Sequence, residues 1–153
     1  MSDEHASSHD DFYQSLLGDF LGESEQILVV VNENLLRLDA LVHSGREAAD
    51  SAQAKSLLNE MFRSSHSLRG LSNMLGLDEI EELVAHIERL FDAGRKASLI
   101  VDADLVALMF EAIDRLAAQI DALKDPDTPA VICDKIIQRI VRVLGKNTPG
   151  EAP

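Results

Sequence analysis

Apolar residues recur along this chain at the three- and four-residue spacings of α-helices, with no alternating strand pattern. This pattern predicts five helices. The first ends near Gly45, and the other four lie near residues 51–76, 78–96, 102–123 and 128–145. The first apolar stripe runs toward Gly45 and consists of Phe20, Ile27, Val31, Leu35, Leu38 and Val42.

Long amphipathic helices joined by short connections predict an all-α fold, an antiparallel four-helix bundle with an additional fifth C-terminal helix. Residues 1–8 show no periodicity, so we expect a disordered N-terminus there. The helical bundle is predicted over residues 9–145. Residues 146–153 are polar with two prolines, which is typical of a C-terminal tail or linker.

Composition narrows the function classes. A chain of 153 residues suits one domain, and its formal charge of −13 argues against nucleic acid or membrane surfaces as partners. The longest apolar run, residues 27–31, is too short to cross a bilayer, and we expect a cytoplasmic protein. The single cysteine, Cys133, excludes an internal disulfide and is expected to be a small core residue on the last helix.

His66 is the candidate for chemistry. It lies about a third of a turn from the centre of the predicted buried stripe of its helix, so we expect it to face water. Arg69 and Gly70 follow three and four residues later and border the ring on the same face. The stripe consists of Leu57, Leu58, Met61, Leu68, Ser72 and Leu75.

Phosphoryl transfer is a reaction that suits such a histidine. An unperturbed pKa of about 6.5 leaves most of an exposed imidazole neutral, and therefore nucleophilic, at pH 7. Arg69 offers a planar cation that matches phosphate geometry. Glu88, on the third predicted helix, is the candidate to accept the N–H of the other ring nitrogen and so fix the tautomer.

These residues resemble the histidine phosphotransfer (HPt) family, and most closely the amino-terminal phosphotransfer domain of chemotaxis-type histidine kinases. The resemblance covers roughly residues 11–144. It rests on Phe62-Arg63-x-x-His66-Ser67-Leu68-Arg69-Gly70 followed by Glu88, and on Asp11-Phe12-Tyr13-Gln14, Glu88-Arg89-Leu90-Phe91-Asp92 and Val131-Ile132-Cys133.

The resemblance implies that His66 accepts a phosphoryl group and passes it to an aspartate on a response-regulator receiver domain. The receiver supplies Mg²⁺, and the module itself holds no metal, ATP or other cofactor. Three positions depart from the family pattern: Arg69 replaces a lysine, Leu71 a second glycine and Ala85 a histidine. Residues near the nucleophile predict a docking surface, and they are Phe62, Arg63, Ser65, Ser67 and Met74.

Two origins fit the sequence, a free-standing relay protein and the excised amino-terminal domain of a kinase. The phosphoryl donor is expected to be a histidine kinase catalytic domain, in trans or in the same parent chain, or a phosphorylated receiver. Because no ATP-binding or kinase catalytic domain is found in this sequence, whether the chain is itself an enzyme stays open. We expect a monomer. The alternative from another class is a non-catalytic helical adaptor that binds a protein partner.

Overall fold

The computed structural model describes residues 2–146, and the side chains of residues 9–145. Within this part of the chain, all regular secondary structure is helical. Six helices follow one another: α1 (Ser2–His43), α2 (Arg46–Ala49), α3 (Ala52–Met74), α4 (Asp78–Arg95), α5 (Ala103–Ala122) and α6 (Asp134–Lys146).

The four long helices form a closed bundle. Helix α3 packs against α1 and α4, and α5 packs against the same two helices. Helix α6 lies against α4 and α5. The predicted all-α bundle with an extra C-terminal helix is confirmed, and the short α2 in the α1–α3 connection is an addition that the sequence pattern did not predict.

Local sequence signals explain where the site-bearing helices begin and end. Ser51 caps α3 by accepting a hydrogen bond from the amide of Ala54 at 3.2 Å. The turn into α4 uses Gly76 at a φ of 68°, a left-handed conformation that glycine adopts without strain. This tight turn makes α3 and α4 antiparallel neighbours, which brings residues of the second and third predicted helices together.

The core is a continuous apolar cluster contributed by all four long helices. Its largest fully buried side chains are Phe20, Leu35, Leu38, Leu58, Met61, Leu68, Leu83, Ile87, Leu90, Phe91, Met109 and Ile113. Burial of these side chains from water is the main force that holds the helices in place, at about 25 cal/mol per Å² of apolar surface.

Helix α1 starts earlier than the sequence pattern indicated. The prediction had the helix begin after Ser8, following a disordered segment, whereas α1 begins at Ser2. No glycine or proline precedes Gly18, so nothing in the local sequence ends a helix there, and α1 also continues unbroken through Gly18 and Gly22. At the other end, the predicted tail beyond Lys146 lies outside the described residues.

The last helix starts later than predicted. The predicted helix began near residue 128, where Thr128 and Pro129 are favourable opening residues, but α6 begins at Asp134. The amide of Thr128 instead donates to the carbonyl of Asp125 in a turn. Residues 129–133, between this turn and α6, have no regular secondary structure. Cys133 is buried as expected, whereas the adjacent Ile132, which a helix starting at residue 128 would turn inward with Ile136 and Ile140, is 76% exposed.

Among the residues that the structure describes, no helix combines the length and apolar character needed to cross a bilayer.

Candidate functional site

His66 lies in the second half of α3 with its side chain 69% exposed. Met61, Leu68 and Ser72 on the same helix are buried against the bundle, which turns the imidazole outward. The prediction that His66 faces water is confirmed. An imidazole that is this open to solvent is accessible to a macromolecular partner.

Glu88 of α4 contacts the ring. Its Oε1 lies 3.3 Å from Nδ1 of His66, and only 12% of its side chain is exposed. An ionised carboxylate only accepts hydrogen bonds, so Nδ1 carries the proton and Nε2 keeps the free lone pair. Among the side chains that the structure describes, none hydrogen-bonds to Nε2. The predicted pairing of these two residues is therefore present, and it points Nε2 to solvent.

Arg69 shares the same carboxylate. Its Nη1 lies 3.5 Å from Oε2 of Glu88, so one glutamate holds both the imidazole and the guanidinium. Gly70 follows on the exposed face, and a Cβ built there would meet no atom within 4 Å apart from its own helix backbone and chain neighbours. The structure thus brings the four predicted catalytic residues together at the α3–α4 edge of the bundle.

Phe62 supports the imidazole from one turn earlier on α3. The centroids of the two rings are 6.3 Å apart and their planes differ by 23°. The guanidinium carbon of Arg95 lies 3.8 Å from the Phe62 centroid. The sequence pattern did not single out Arg95, because its contact with Phe62 crosses between helices and no spacing within one helix reveals such a contact.

Arg95 is itself held by polar contacts. Its Nε donates to Oδ1 of Asp92 at 2.8 Å, and its Nη1 donates to Oδ1 of Asn59 at 2.9 Å. Burial alone would raise the pKa of Asp92, but hydrogen bonds from Arg95 and Lys96 outweigh burial and hold that pKa below its ordinary value. The carboxylate therefore stays ionised, and Arg95 keeps its partner, at neutral pH.

The predicted docking residues divide into three groups. Arg63 and Ser67 are exposed, and Met74 is 78% exposed, so all three are open to a partner. Phe62 is half-buried. Ser65 is buried and donates to the carbonyl of Met61 at 2.9 Å, so its prediction as a docking residue is wrong.

A surface groove continues from His66 between α1 and α3. We call it the α1–α3 groove, and its lining includes His66, Ser67, Leu71, Met74, Ile27 and Val30. Val30 is 46% exposed, and sequence reasoning did not include α1 in the docking surface. The sequence feature that indicates this part of α1 is the unbroken apolar run of residues 27–31. Five consecutive apolar residues are too wide for one buried stripe of a helix, so some of them remain exposed to solvent.

Comparison with known proteins places these features in a family context. The sequence model of the Hpt domain matches residues 15–125. The chemotaxis protein CheA of Salmonella typhimurium is 28% identical over 144 residues, which is 91% of this chain and 19% of CheA. The CheA protein of Bacillus subtilis is 29% identical over 106 residues, 69% of this chain and 14% of that protein. The chain therefore spans about a fifth or less of these curated relatives.

A solved structure has the same fold. The solution structure of the histidine phosphotransfer domain of CheA superposes with a TM-score of 0.67 at 22% identity. The match covers 92% of this chain and 97% of that domain. The bundle of this chain is thus similar in architecture along nearly all of its length.

Proposed function

Because this chain belongs to the Hpt domain family, with the phosphotransfer region of CheA among its homologues, we propose that His66 is its phosphoryl-accepting residue. The single observation that carries the proposal is the geometry of the ring: Nδ1 lies on the Glu88 carboxylate while the side chain is 69% exposed, which leaves Nε2 free.

The proposed reaction is attack by Nε2 on a phosphorus atom. The N–P bond forms as the bond from phosphorus to the donor oxygen breaks, and the proton on Nδ1 stays in place. The ring gains positive charge in this step. The carboxylate of Glu88, 3.3 Å from Nδ1, stabilises that charge, and fixes the tautomer before the reaction.

Arg69 and Gly70 are proposed to act on the incoming group. The phosphoryl oxygens carry the negative charge of a loose transition state, and a guanidinium beside the ring stabilises it. Arg69 and His66 contact the two oxygens of the same Glu88 carboxylate, so the guanidinium lies on the same edge of the bundle as the ring. The open space at Gly70 leaves room for the phosphoryl group and for the surface that delivers it.

The proposed acceptor is the aspartate of a response-regulator receiver domain, docked on the α1–α3 groove. Met74 and Val30 expose apolar surface beside His66, and Leu71 is half-buried between them and the core. Exposed apolar surface next to a reactive group is typical of a transient protein contact. The receiver brings the Mg²⁺, and the donor is a kinase catalytic domain, in trans or in the same parent chain.

Phosphorylation of the purified chain by the catalytic domain of a chemotaxis-type histidine kinase with ATP tests this proposal. We expect an acid-labile, base-stable phosphate that disappears in His66→Gln. Transfer to a receiver should then deplete it. Phosphorus NMR should place the phosphate on Nε2 rather than Nδ1.

His43→Gln is the matched control. His43 is also an exposed histidine next to a carboxylate, with its Nδ1 3.3 Å from Oδ1 of Asp39, but the arginine three residues later, Arg46, pairs with Asp50 and not with the carboxylate at the ring. Full phosphorylation of H43Q and none of H66Q supports the proposal. A chain that never gains phosphate yet binds the receiver is instead the non-catalytic adaptor.

A further inference from the structure

We propose that Arg95 is a positioning residue for His66, acting through Phe62. This inference rests on the proposed function, because it concerns how the phosphoryl-accepting ring is held. The geometry is a stack in which a guanidinium lies over Phe62 and the imidazole of His66 lies near-parallel to the same ring.

Few contacts hold the imidazole itself. With 69% of its side chain exposed, it is fixed by the 3.3 Å contact to Glu88 and by the Phe62 ring. A side chain with so little packing is free to change rotamer unless such contacts restrict it. The orientation of Phe62 therefore decides how much freedom Nε2 has, and misplacement of a nucleophile slows the reaction that it carries out.

Arg95 is suited to hold Phe62 because its own position is fixed at both ends. Asp92 accepts from Nε, and Asn59, which lies on α3 with Phe62, accepts from Nη1. The guanidinium thereby joins α4 to α3 across the aromatic ring. A cation over an aromatic face is attracted by the negative charge of that face.

Gly94 makes this geometry accessible. A Cβ at this position would lie 3.1 Å from Cδ2 of Leu58, so glycine lets α4 approach α3 closely. The next residue along α4 is Arg95, and the residue one turn after Leu58 on α3 is Phe62. The close approach of the two helices at Gly94 thus lies directly next to the stack.

The experiment measures phosphorylation of the full chain by phosphoramidate, a small donor that needs no docking surface. Nε2 attacks phosphorus as the P–N bond to the departing ammonia breaks. We expect Arg95→Met to slow phosphorylation roughly threefold to tenfold, the range of one partly exposed cation–aromatic contact. Arg95→Lys keeps a cation but loses the planar fork, and should recover part of the rate.

Arg115→Met is the control with the same loss of charge. Arg115 is exposed on α5, which packs against α1, α4 and α6 rather than α3, and its rate should match the unmodified chain. Thermal unfolding identifies variants that fail to fold. Nitrogen and proton NMR of His66 add a local readout: Arg95→Met should increase the Nε2–H tautomer and weaken the ring-current shift from Phe62.

A double-mutant cycle tests the route. If Arg95 acts through Phe62, then Arg95→Met should have no further effect on the rate once Phe62→Leu is present. Additive effects of the two substitutions, or an Arg95→Met rate equal to that of Arg115→Met, would overturn the inference. Failure of the unmodified chain to gain any phosphohistidine is a separate result, and it rejects the proposed function itself.

Discussion

Replacing Glu88 by glutamine removes a charge from the site with almost no change in shape. The amide oxygen can still accept the N–H of Nδ1, so the tautomer preference survives, but the carboxylate charge next to His66 and Arg69 is lost. Glu88→Gln therefore isolates the electrostatic part of the proposed role. We expect slower phosphorylation by phosphoramidate with little change in folding.

The magnitude follows from the 3.3 Å separation of Nδ1 and Oε1. Opposite unit charges at that distance attract by about 1.3 kcal/mol at the dielectric constant of water and about 5 kcal/mol at an effective dielectric of about 20. Because the ring is 69% exposed, solvent screening favours the lower end. An attraction of about 1.4 kcal/mol that develops with the imidazolium charge corresponds to a roughly tenfold slower reaction.

The assay follows phosphohistidine formation over time at fixed phosphoramidate and pH 7. Glu82→Gln is the control, because Glu82 is an exposed glutamate on the same helix and its substitution changes the net charge equally. A Glu88→Gln rate within twofold of the Glu82→Gln rate would refute the electrostatic reasoning. A loss of a thousandfold or more would refute it too, since that is far beyond what a screened pair supplies.

Three further outcomes are expected. Gly94→Ala should destabilise the fold by about 1 kcal/mol in urea unfolding, because the added methyl group would press on buried Leu58. Gly70→Ala, in open space, should stabilise the fold by about 1 kcal/mol. Stability changes of the same sign in the two variants would contradict this packing. Met74→Asp should slow transfer to a receiver but leave phosphorylation by phosphoramidate unchanged, and equal slowing of both would remove Met74 from the docking surface. Burial raises the pKa of Asp92, but hydrogen bonds from Arg95 and Lys96 lower it more, so the folded-state pKa is below the unfolded one. The contribution of Asp92 to fold stability is therefore present above about pH 4 and is lost as pH falls through the folded-state pKa. The unfolding free energies of Asp92→Asn and the unmodified chain should differ at pH 7 and converge in acid.

Periodicity predicted the fold well because it reports which face of each helix is buried. The stripe on α3 correctly turned His66 outward, and the spacing to Glu88 correctly paired the two across a tight turn. Ser65 was misplaced for a physical reason: a serine on the buried face satisfies its hydroxyl on the carbonyl of its own helix, here Met61, so polarity alone did not reveal burial.

Contacts that cross between helices were beyond the reach of the sequence pattern. Arg95 reads as an ordinary basic residue at a helix end, and only the three-dimensional approach of α4 to α3 places it over Phe62. The start of α6 was missed because Thr128 and Pro129 are good opening residues for a helix, yet the chain there forms a turn followed by residues without regular secondary structure, among which Cys133 is buried. Tertiary packing overrides such local signals.

The Glu88 carboxylate that His66 and Arg69 share affects how stable the proposed phosphohistidine is. In the proposed reaction, the Arg69 guanidinium weakens its contact with Glu88 when it binds the phosphoryl group. The net stabilisation of phosphohistidine by Arg69 is therefore only the difference between these two interaction energies. If this difference is small, the free energy of phosphoryl transfer from His66 remains favourable. The phosphoryl group can then move to the next protein.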